Sequence, residues 1–445
     1  MTDFASRRDE LVRTLREARD PAPVRLAKET SNLFRDREAA PRQPLDVRAF
    51  NHVLVINSGA GWVDVEAMTP YARLVDATLA HGCMPCVVPQ LKSITIGGAV
   101  AGVGIESSSF RHGLVHETVE EIEVLLGDGS VVVARGDNEH RDLFRAFPNS
   151  YGTLGYALRV RARTVPVKRF VRLEHVHHTD AETFFGNVAA ACASPVDFVD
   201  GVVFGPKEMV TVVGRFVDEA PYTSDYTYAR IYHRSLRSRE EDYLTAHDYL
   251  WRWDTDWFWC SKNLHAQNPV VRRLLGRSRL NSTFYTRVMR WNSRVGVTRR
   301  LDGALGRHPE SVIQDVDIPI DRAAEFLDFF QREIGILPVW VCPFRAPDPA
   351  AAWPLFPTRP DSLYLNFGFW DVVRTRAPHP PGHFNRMIER KVAELGGMKS
   401  LYSDSYFTPE EFWSMFDKAA YDAVKARYDP GGRFKGLYEK CVLRH

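Results

Sequence analysis

A chain of 445 residues, 44% hydrophobic and 26% charged, is long enough for two domains with sizeable cores and has the composition of an ordinary soluble globular protein. A net charge of +2 without a stripe of Lys or Arg gives no electrostatic footprint for nucleic acid. No window approaches the ~18 consecutive apolar residues of a membrane-spanning helix, and the charged opening (Arg7, Arg8, Asp9, Glu10, Arg13, Arg16) argues against a secretory signal, so a cytoplasmic location is expected.

In chain order, Leu11 to Ala18 predicts an amphipathic helix. Val53 to Ile56 and Trp62 to Glu66 predict two strands about the Ser58-Gly59-Ala60-Gly61 turn. Tyr71 to Ala80 has apolar residues at helical spacing (Leu74, Val75, Leu79) and stops at Gly82. Thr118 to Leu126, Gly127-Asp128-Gly129 and Val131 to Val133 predict a β-hairpin. Asp142 to Phe147 reads as a short helix, and Tyr156 to Arg163 alternates like a strand. The pattern restarts at Phe170, with strands at Val171 to His175, Phe198 to Phe204 and Val210 to Phe216 and a centre rich in tryptophan from Tyr243 to Cys260. Beyond Phe344 a proline-rich linker leads to a strand from Ser362 to Phe369 and helices at His383 to Leu395 and Pro409 to Phe416.

Of the six cysteines only Cys83-Met84-Pro85-Cys86 has a suggestive spacing. A redox Cys-x-x-Cys opens a helix after a strand, whereas this one follows a helix and precedes an apolar run, so the structural reading is favoured. The segment Val88 to Ser109 is more informative. It holds Gly97, Gly98, Gly102, Gly104 and the triplet Ser107-Ser108-Ser109, with Lys92 and Glu106 its sole charges. So many residues without a β-carbon in so apolar a stretch predict backbone lying close to a large flat or anionic ligand. A Rossmann turn is rejected: Gly104 is followed by Glu106 and the serines rather than by a third glycine opening an apolar helix.

Val88-Pro89-Gln90, Ile96-Gly97-Gly98 and Gly104-Ile105-Glu106-Ser107-Ser108-Ser109 resemble the FAD-binding segment of the vanillyl-alcohol-oxidase/PCMH flavoprotein superfamily, in particular its Δ24-sterol reductase branch. Leu126-Gly127-Asp128-Gly129-Ser130, Gly152-Thr153-Leu154-Gly155, Val312-Ile313-Gln314-Asp315 and Pro338 to Phe344 extend the resemblance over most of the chain. Leu26 to Arg35 and the Trp-rich centre look closer still to actinobacterial FAD-dependent reductases of 10-methylene fatty acyl chains. The resemblance implies an α+β fold: a PCMH-type FAD-binding domain (1–168), an inserted α+β substrate or cap domain (169–345), and a C-terminal segment (346–445) returning to the flavin site. By position it makes Lys28, Thr30, Ser31 and Asn32 the pyrophosphate turn. Pro89, Gly97, Gly98, Gly102, Gly104, Ser107 and Ser108 become the flavin wall, Gly152 and Gly155 a second FAD-contacting turn, and Val160 a backbone contact to adenine. No His stands in the first loop to tether the cofactor, so dissociable FAD is expected, with NADPH as electron donor and no metal. The opening residues match nothing of the N-terminal membrane segment of animal sterol reductases, which counts against a sterol substrate and an integral membrane location.

The implied reaction is reduction of an unactivated C=C bond in a lipid; the alternative in the same superfamily is an oxidase of a polyol or lactone using O₂. Alkene reduction by hydride needs a proton donor, and a carboxylic acid or tyrosine in a dry tunnel stays protonated at neutral pH. Glu106, Asp315, Tyr402 and Asp404 are the candidates. Beside these roles stand simpler ones: Glu106 as an acceptor of backbone N–H groups, Asp315 as ordinary strand-end polarity. His112 and His116 read as structural. The Trp251 to Trp259 cluster is either cap-domain core or, with Arg252, Asp254, Asp256 and Lys262 interspersed, an interfacial segment giving peripheral membrane contact.

Overall fold

The computed structural model describes residues 3–17, 23–31, 33–35 and 43–443. The chain is a mixed α+β protein built on two antiparallel sheets. The first runs in the order Val53–Asn57, Trp62–Glu66, Tyr156–Pro166, Val119–Leu125, Val131–Arg135, and Cys83–Pro85 pairs with the far end of Tyr156–Pro166. The second has eight strands in the order Glu241–Thr245, Phe170–His178, Glu208–Val217, Phe198–Gly205, Val339–Phe344, Tyr364–Thr375, His308–Pro319, Met398–Lys399. This second sheet therefore draws strands from both sides of residue 345.

Local chemistry explains most boundaries. The helix Tyr71–Leu79 buries Leu74 and Val75 against the first sheet and ends before Gly82, whose φ of +72° suits a residue without a β-carbon. In the hairpin turn Gly129 has φ +79°, and the Asp128 carboxylate accepts from Ser130 N at 2.8 Å. The helix Pro409–Met415 opens with a capping box: Thr408 Oγ1 accepts from Glu411 N, and the Glu411 carboxylate accepts from Thr408 N. The first predicted helix spans Phe4–Glu17; its Ala18 end lies outside the described residues.

Phe326, Phe330, Phe367 and Phe369 form part of a second core between the eight-stranded sheet and the helices Ala181–Cys192 and Ala323–Glu333. Each such side chain, fully buried, contributes about 1.5–3 kcal/mol of hydrophobic stabilisation.

The interfacial reading of Trp251 to Trp259 is corrected. Trp253 and Trp259 are 1% exposed, and Trp251, Trp257 and Phe258 are buried as well. The charges between them are satisfied inside the protein: Asp256 pairs with Arg272 at 2.6 Å, and Asp254 accepts from Ser282 Oγ. Trp253 stacks on Phe258, and Phe258 packs on Trp340 and Trp370 of the second sheet.

One buried ion cluster ties the glycine segment to that sheet. Arg252 Nη2 donates to Glu106 Oε1 at 2.6 Å and to Asp200 Oδ2 at 2.9 Å, with all three side chains almost fully buried. Its guanidinium lies 4.1 Å from the Tyr249 ring centroid, and Tyr249 hydroxyl is hydrogen-bonded to Ser107 Oγ at 2.9 Å. Removing one member of such a cluster leaves uncompensated charge in the interior. Arg252→Met should therefore lower unfolding free energy by about 3–5 kcal/mol in urea titration, whereas the exposed-pair variant Arg322→Gln should change it by less than about 1 kcal/mol.

Candidate functional site

The glycine segment folds as a short helix, Ile96–Ala101, followed by a loop to Ser109. Its glycines are demanded first by packing of the protein on itself. A β-carbon at Gly97 would lie 2.7 Å from Ala67 Cβ, and one at Gly104 would lie 2.8 Å from Val115 Cγ2. With those side chains absent, the backbone itself becomes the wall of a cavity enclosing about 1470 Å³ of empty space, its open mouth included. Val103, also in this wall, has φ +58°, a left-handed conformation that a β-branched residue rarely adopts.

Three further walls complete the cavity. Leu26, Lys28, Thr30 and Ser31 come from the N-terminal segment, and Tyr151, Gly152, Gly155 and Tyr156 from the turn before the long strand. The third wall is aromatic: Phe34, Trp257, Phe258, Trp340 and Trp370, together with Asp315 and Tyr402. The 149–155 turn carries positive φ at Asn149, Tyr151, Gly152 and Gly155. It is braced from the C-terminal region, where Lys440 Nζ donates to Tyr151 O at 2.6 Å and Lys425 Nζ to Thr153 O at 2.7 Å.

The cavity collects Lys28, Thr30, Ser31, Pro89, Gly97, Gly98, Gly102, Gly104, Gly152, Gly155, Asp315 and Tyr402. Asn32 lies outside the described residues. Ser107, Ser108, Val160, Glu106 and Asp404 are not part of the wall. Ser107 and Ser108 hold the loop instead, the latter donating to Cys86 O at 2.8 Å. Val160 is buried in its strand between Val65 and Ile122. Glu106 belongs to the Arg252 cluster, and the backbone carbonyl of Asp404 accepts from Lys399 Nζ. Cys83 and Cys86 are free thiols, and burial pushes Cys86 up to about 11, so neither is a thiolate at neutral pH.

Asp315 stands on the strand His308–Pro319 opposite Gly368, where a β-carbon would lie 2.7 Å from Asp315 Oδ1. Glycine at 368 thus leaves room for the carboxyl. Burial pushes Asp315 up to about 7, against a smaller lowering by Tyr402. Asp315 Oδ1 has no hydrogen-bond partner. Tyr402 hydroxyl accepts from Trp370 Nε1 at 2.9 Å, and burial followed by the nearby Asp315 raises its pKa well above the ordinary tyrosine value. Two residues along the same face of the strand, Asp317 accepts from Asn366 Nδ2 at 2.8 Å and is pushed up to about 8 by burial.

Sequence reasoning missed Gln90 as a site residue, although it stands in the segment that carries the resemblance. Its side chain is 7% exposed, lines the cavity and leaves Nε2 without a partner. Behind the wall, Arg35 was missed as a support: it is buried, donates to Leu401 O at 2.6 Å and stacks on the wall residue Tyr151 at 4.9 Å. Trp370 gave no signal in the sequence, because only strand pairing brings it to Tyr402.

The donor set fits FAD. An unpartnered buried amide lines the cavity, glycines open the backbone in two walls, hydroxyls and a lysine stand on a third, and the aromatic face suits a flat ring. Among the described residues no group of His, Cys, Asp and Glu is placed to hold a metal ion.

Comparison with known proteins bears on the same surface. The FAD binding domain family matches residues 3–135. The Delta(24)-sterol reductase of Homo sapiens is 26% identical over 419 residues, covering 88% of this chain and 77% of the human protein. That of Arabidopsis thaliana is 25% identical over 448 residues, covering 91% and 77%. Cytokinin dehydrogenase 7 of Oryza sativa subsp. japonica is 31% identical over 180 residues, 39% of this chain and 34% of the rice protein.

Two expectations follow from the geometry. Gly104→Val should lower flavin bound per chain, read from the visible absorbance of purified protein, because overpacking here is worth about 1–3 kcal/mol. Asp317 has a folded pKa raised above its unfolded value, so its contribution to stability is full below the ordinary carboxylate range and is lost as pH rises through about 8. The melting temperature of Asp317→Asn relative to the parent should therefore increase from about pH 5 to about pH 9.

With an FAD binding domain matched at residues 3–135, similarity to the Delta(24)-sterol reductases across most of the chain and a cavity whose donors fit the dinucleotide, the protein is an FAD-dependent oxidoreductase similar to those reductases.

Proposed function

We propose that the protein reduces an unactivated C=C bond of a lipid, taking a 10-methylene fatty acyl chain in preference to a Δ24-sterol, with dissociable FAD and with NADPH as electron donor. The observation that carries this reading is the aromatic wall that shares one cavity with Asp315: Phe34, Trp257, Phe258, Trp340 and Trp370 line it together with a carboxyl that burial pushes up to about 7. Such a chamber binds an apolar chain and excludes water, and a bare alkene offers nothing for a polar cavity to grip. FAD, when bound and first reduced by hydride from NADPH, would supply the hydride for one alkene carbon and return to its oxidised form. The chain's own share is the proton. Asp315 delivers it to the other carbon, and the hydroxyl of Tyr402, held by Trp370, stabilises the carboxylate left behind. Lys28, Thr30, Ser31 and the glycine walls hold the cofactor, whereas Glu106 positions the loop through Arg252 and Asp404 has no place beside the reacting carbons.

The proposed division assigns 1–168 and 346–445 to the cofactor and 169–345 to the substrate, amended in that Tyr364–Thr375 and Met398–Lys399 complete the substrate-side sheet. A lipid acyl chain is presented by a bilayer, so a peripheral position on the cytoplasmic face belongs to this reading.

The test is an anaerobic titration with NADPH, followed by the visible flavin absorbance, with 10-methylene phospholipid then added and a Δ24-sterol in parallel. Bleaching followed by reoxidation on adding the methylene lipid is expected; bleaching that air alone reverses would sink the proposal. In Asp315→Asn bleaching should persist while lipid-driven reoxidation slows by about 10²–10⁴-fold. In the parent that rate should fall as pH rises through about 7, where Asp315 loses its proton, and this limb should vanish in the variant.

A further inference from the structure

Among the described residues eight large apolar side chains are exposed, and five of them, Val270, Leu274, Trp291, Leu301 and Leu305, fall within 36 residues of chain. Leu274 is 78% and Val270 68% exposed. They belong to three consecutive helices, Pro269–Leu275, Ser282–Val295 and Val297–Ala304, and their continuation at Leu305. Val270 and Leu274, like Leu301 and Leu305, are four residues apart, so each pair stands on one helical face or its extension.

The same stretch concentrates charge that the whole-chain balance conceals. Residues 269–307 contain ten arginines, no lysine and one acidic residue, Asp302, in a protein of net charge +2. Asp302 is buried and engaged with Arg374. Arg273, Arg279, Arg287, Arg300 and Arg307 are exposed, and none forms an ion pair among the described residues. Beside the buried Arg272 and Ser282, the first two of these helices carry an apolar cluster that leads to the cavity. Leu275, Leu280, Phe284, Tyr285 and Met289 pack in one cluster with Leu91 and Trp257, both of which line the cavity.

We propose that the helices of residues 269–305 dock the protein on an anionic phospholipid bilayer, with Val270, Leu274, Trp291, Leu301 and Leu305 entering the headgroup region and the arginines engaging phosphates. Exposed leucine and tryptophan amid unpaired cations match the composition of helices that lie in the interfacial plane. The docked face then stands one layer of side chains from the aromatic chamber. For what the docked protein does, the proposal rests on the lipid-reductase reading.

The test uses the full FAD-loaded protein and sedimentation with vesicles of phosphatidylcholine alone or mixed with phosphatidylglycerol. Binding to the mixed vesicles, weak binding to neutral ones and release by salt are expected. Leu274→Glu/Leu301→Glu should reduce partition about tenfold or more, and Arg273→Gln/Arg300→Gln by a similar factor, with flavin content unchanged as the check on folding. Equal binding of the parent to both vesicle types, or undiminished binding of both variants, overturns the proposal. So does a dimer of the parent, seen in sedimentation velocity, that Leu274→Glu/Leu301→Glu dissociates, since a second copy then covers the face. Turnover of detergent-dispersed lipid separates the two readings: normal turnover without vesicle binding overturns docking alone, and vesicle binding with no turnover on any alkene retains docking while the reductase reading fails.

Discussion

The arrangement of the cavity depends on one guanidinium. Arg252 is shared between Glu106, which follows the glycine wall, and Asp200, on a central strand of the second sheet. Asp200 also accepts from Trp340 Nε1 at 3.1 Å, so the indole in the aromatic wall is oriented by the same cluster that anchors the opposite wall. Two carboxylates around one cation leave a negative excess in the interior, and burial raises the pKa of Glu106 in response. A cluster of this kind adds little net stability compared with apolar packing. What it supplies is register, because few other placements of the two sheets would satisfy all three charges.

Two further carboxyls stand on the strand that edges the cavity. Asp315 and Asp317 share a face of one strand, and both are raised towards or above neutrality by burial. They differ in access. Asp317 is nearly inaccessible and is hydrogen-bonded by Asn366, whereas Asp315 lines the cavity and has an oxygen without a partner. The aromatic wall that lines the cavity with Asp315 also supplies low-dielectric surroundings, which disfavour the charged carboxylate.

Local features of this architecture were legible in the sequence. The helix ending before Gly82, the Gly127-Asp128-Gly129 hairpin and the helix opening at Pro409 are decided within a few residues, and the chain has them where the pattern predicts. The glycine segment was legible as a cavity wall, although its glycines answer to Ala67 and Val115 before any ligand. Partnerships across long separations were not. Arg252 and Glu106 are 146 residues apart, and Arg35 and Leu401 are 366 apart. The tryptophan cluster misled for a related reason. Its interspersed charges resemble an interface when their partners, Arg272 and Ser282, are unseen. Net charge misled by averaging, since a basic stretch in residues 269–307 is offset by acidic excess elsewhere.

The braces on the 149–155 turn have a consequence for the order of events in the cell. One cavity wall begins at Leu26, the aromatic wall takes Trp370 and Tyr402, and the lysines that grip the turn are Lys425 and Lys440. A ribosome delivers these parts from first to last, so the nascent chain holds an incomplete cofactor site until residue 440 has left the exit tunnel. The first and last parts of the chain to be made must therefore meet before the flavin has a complete wall to bind.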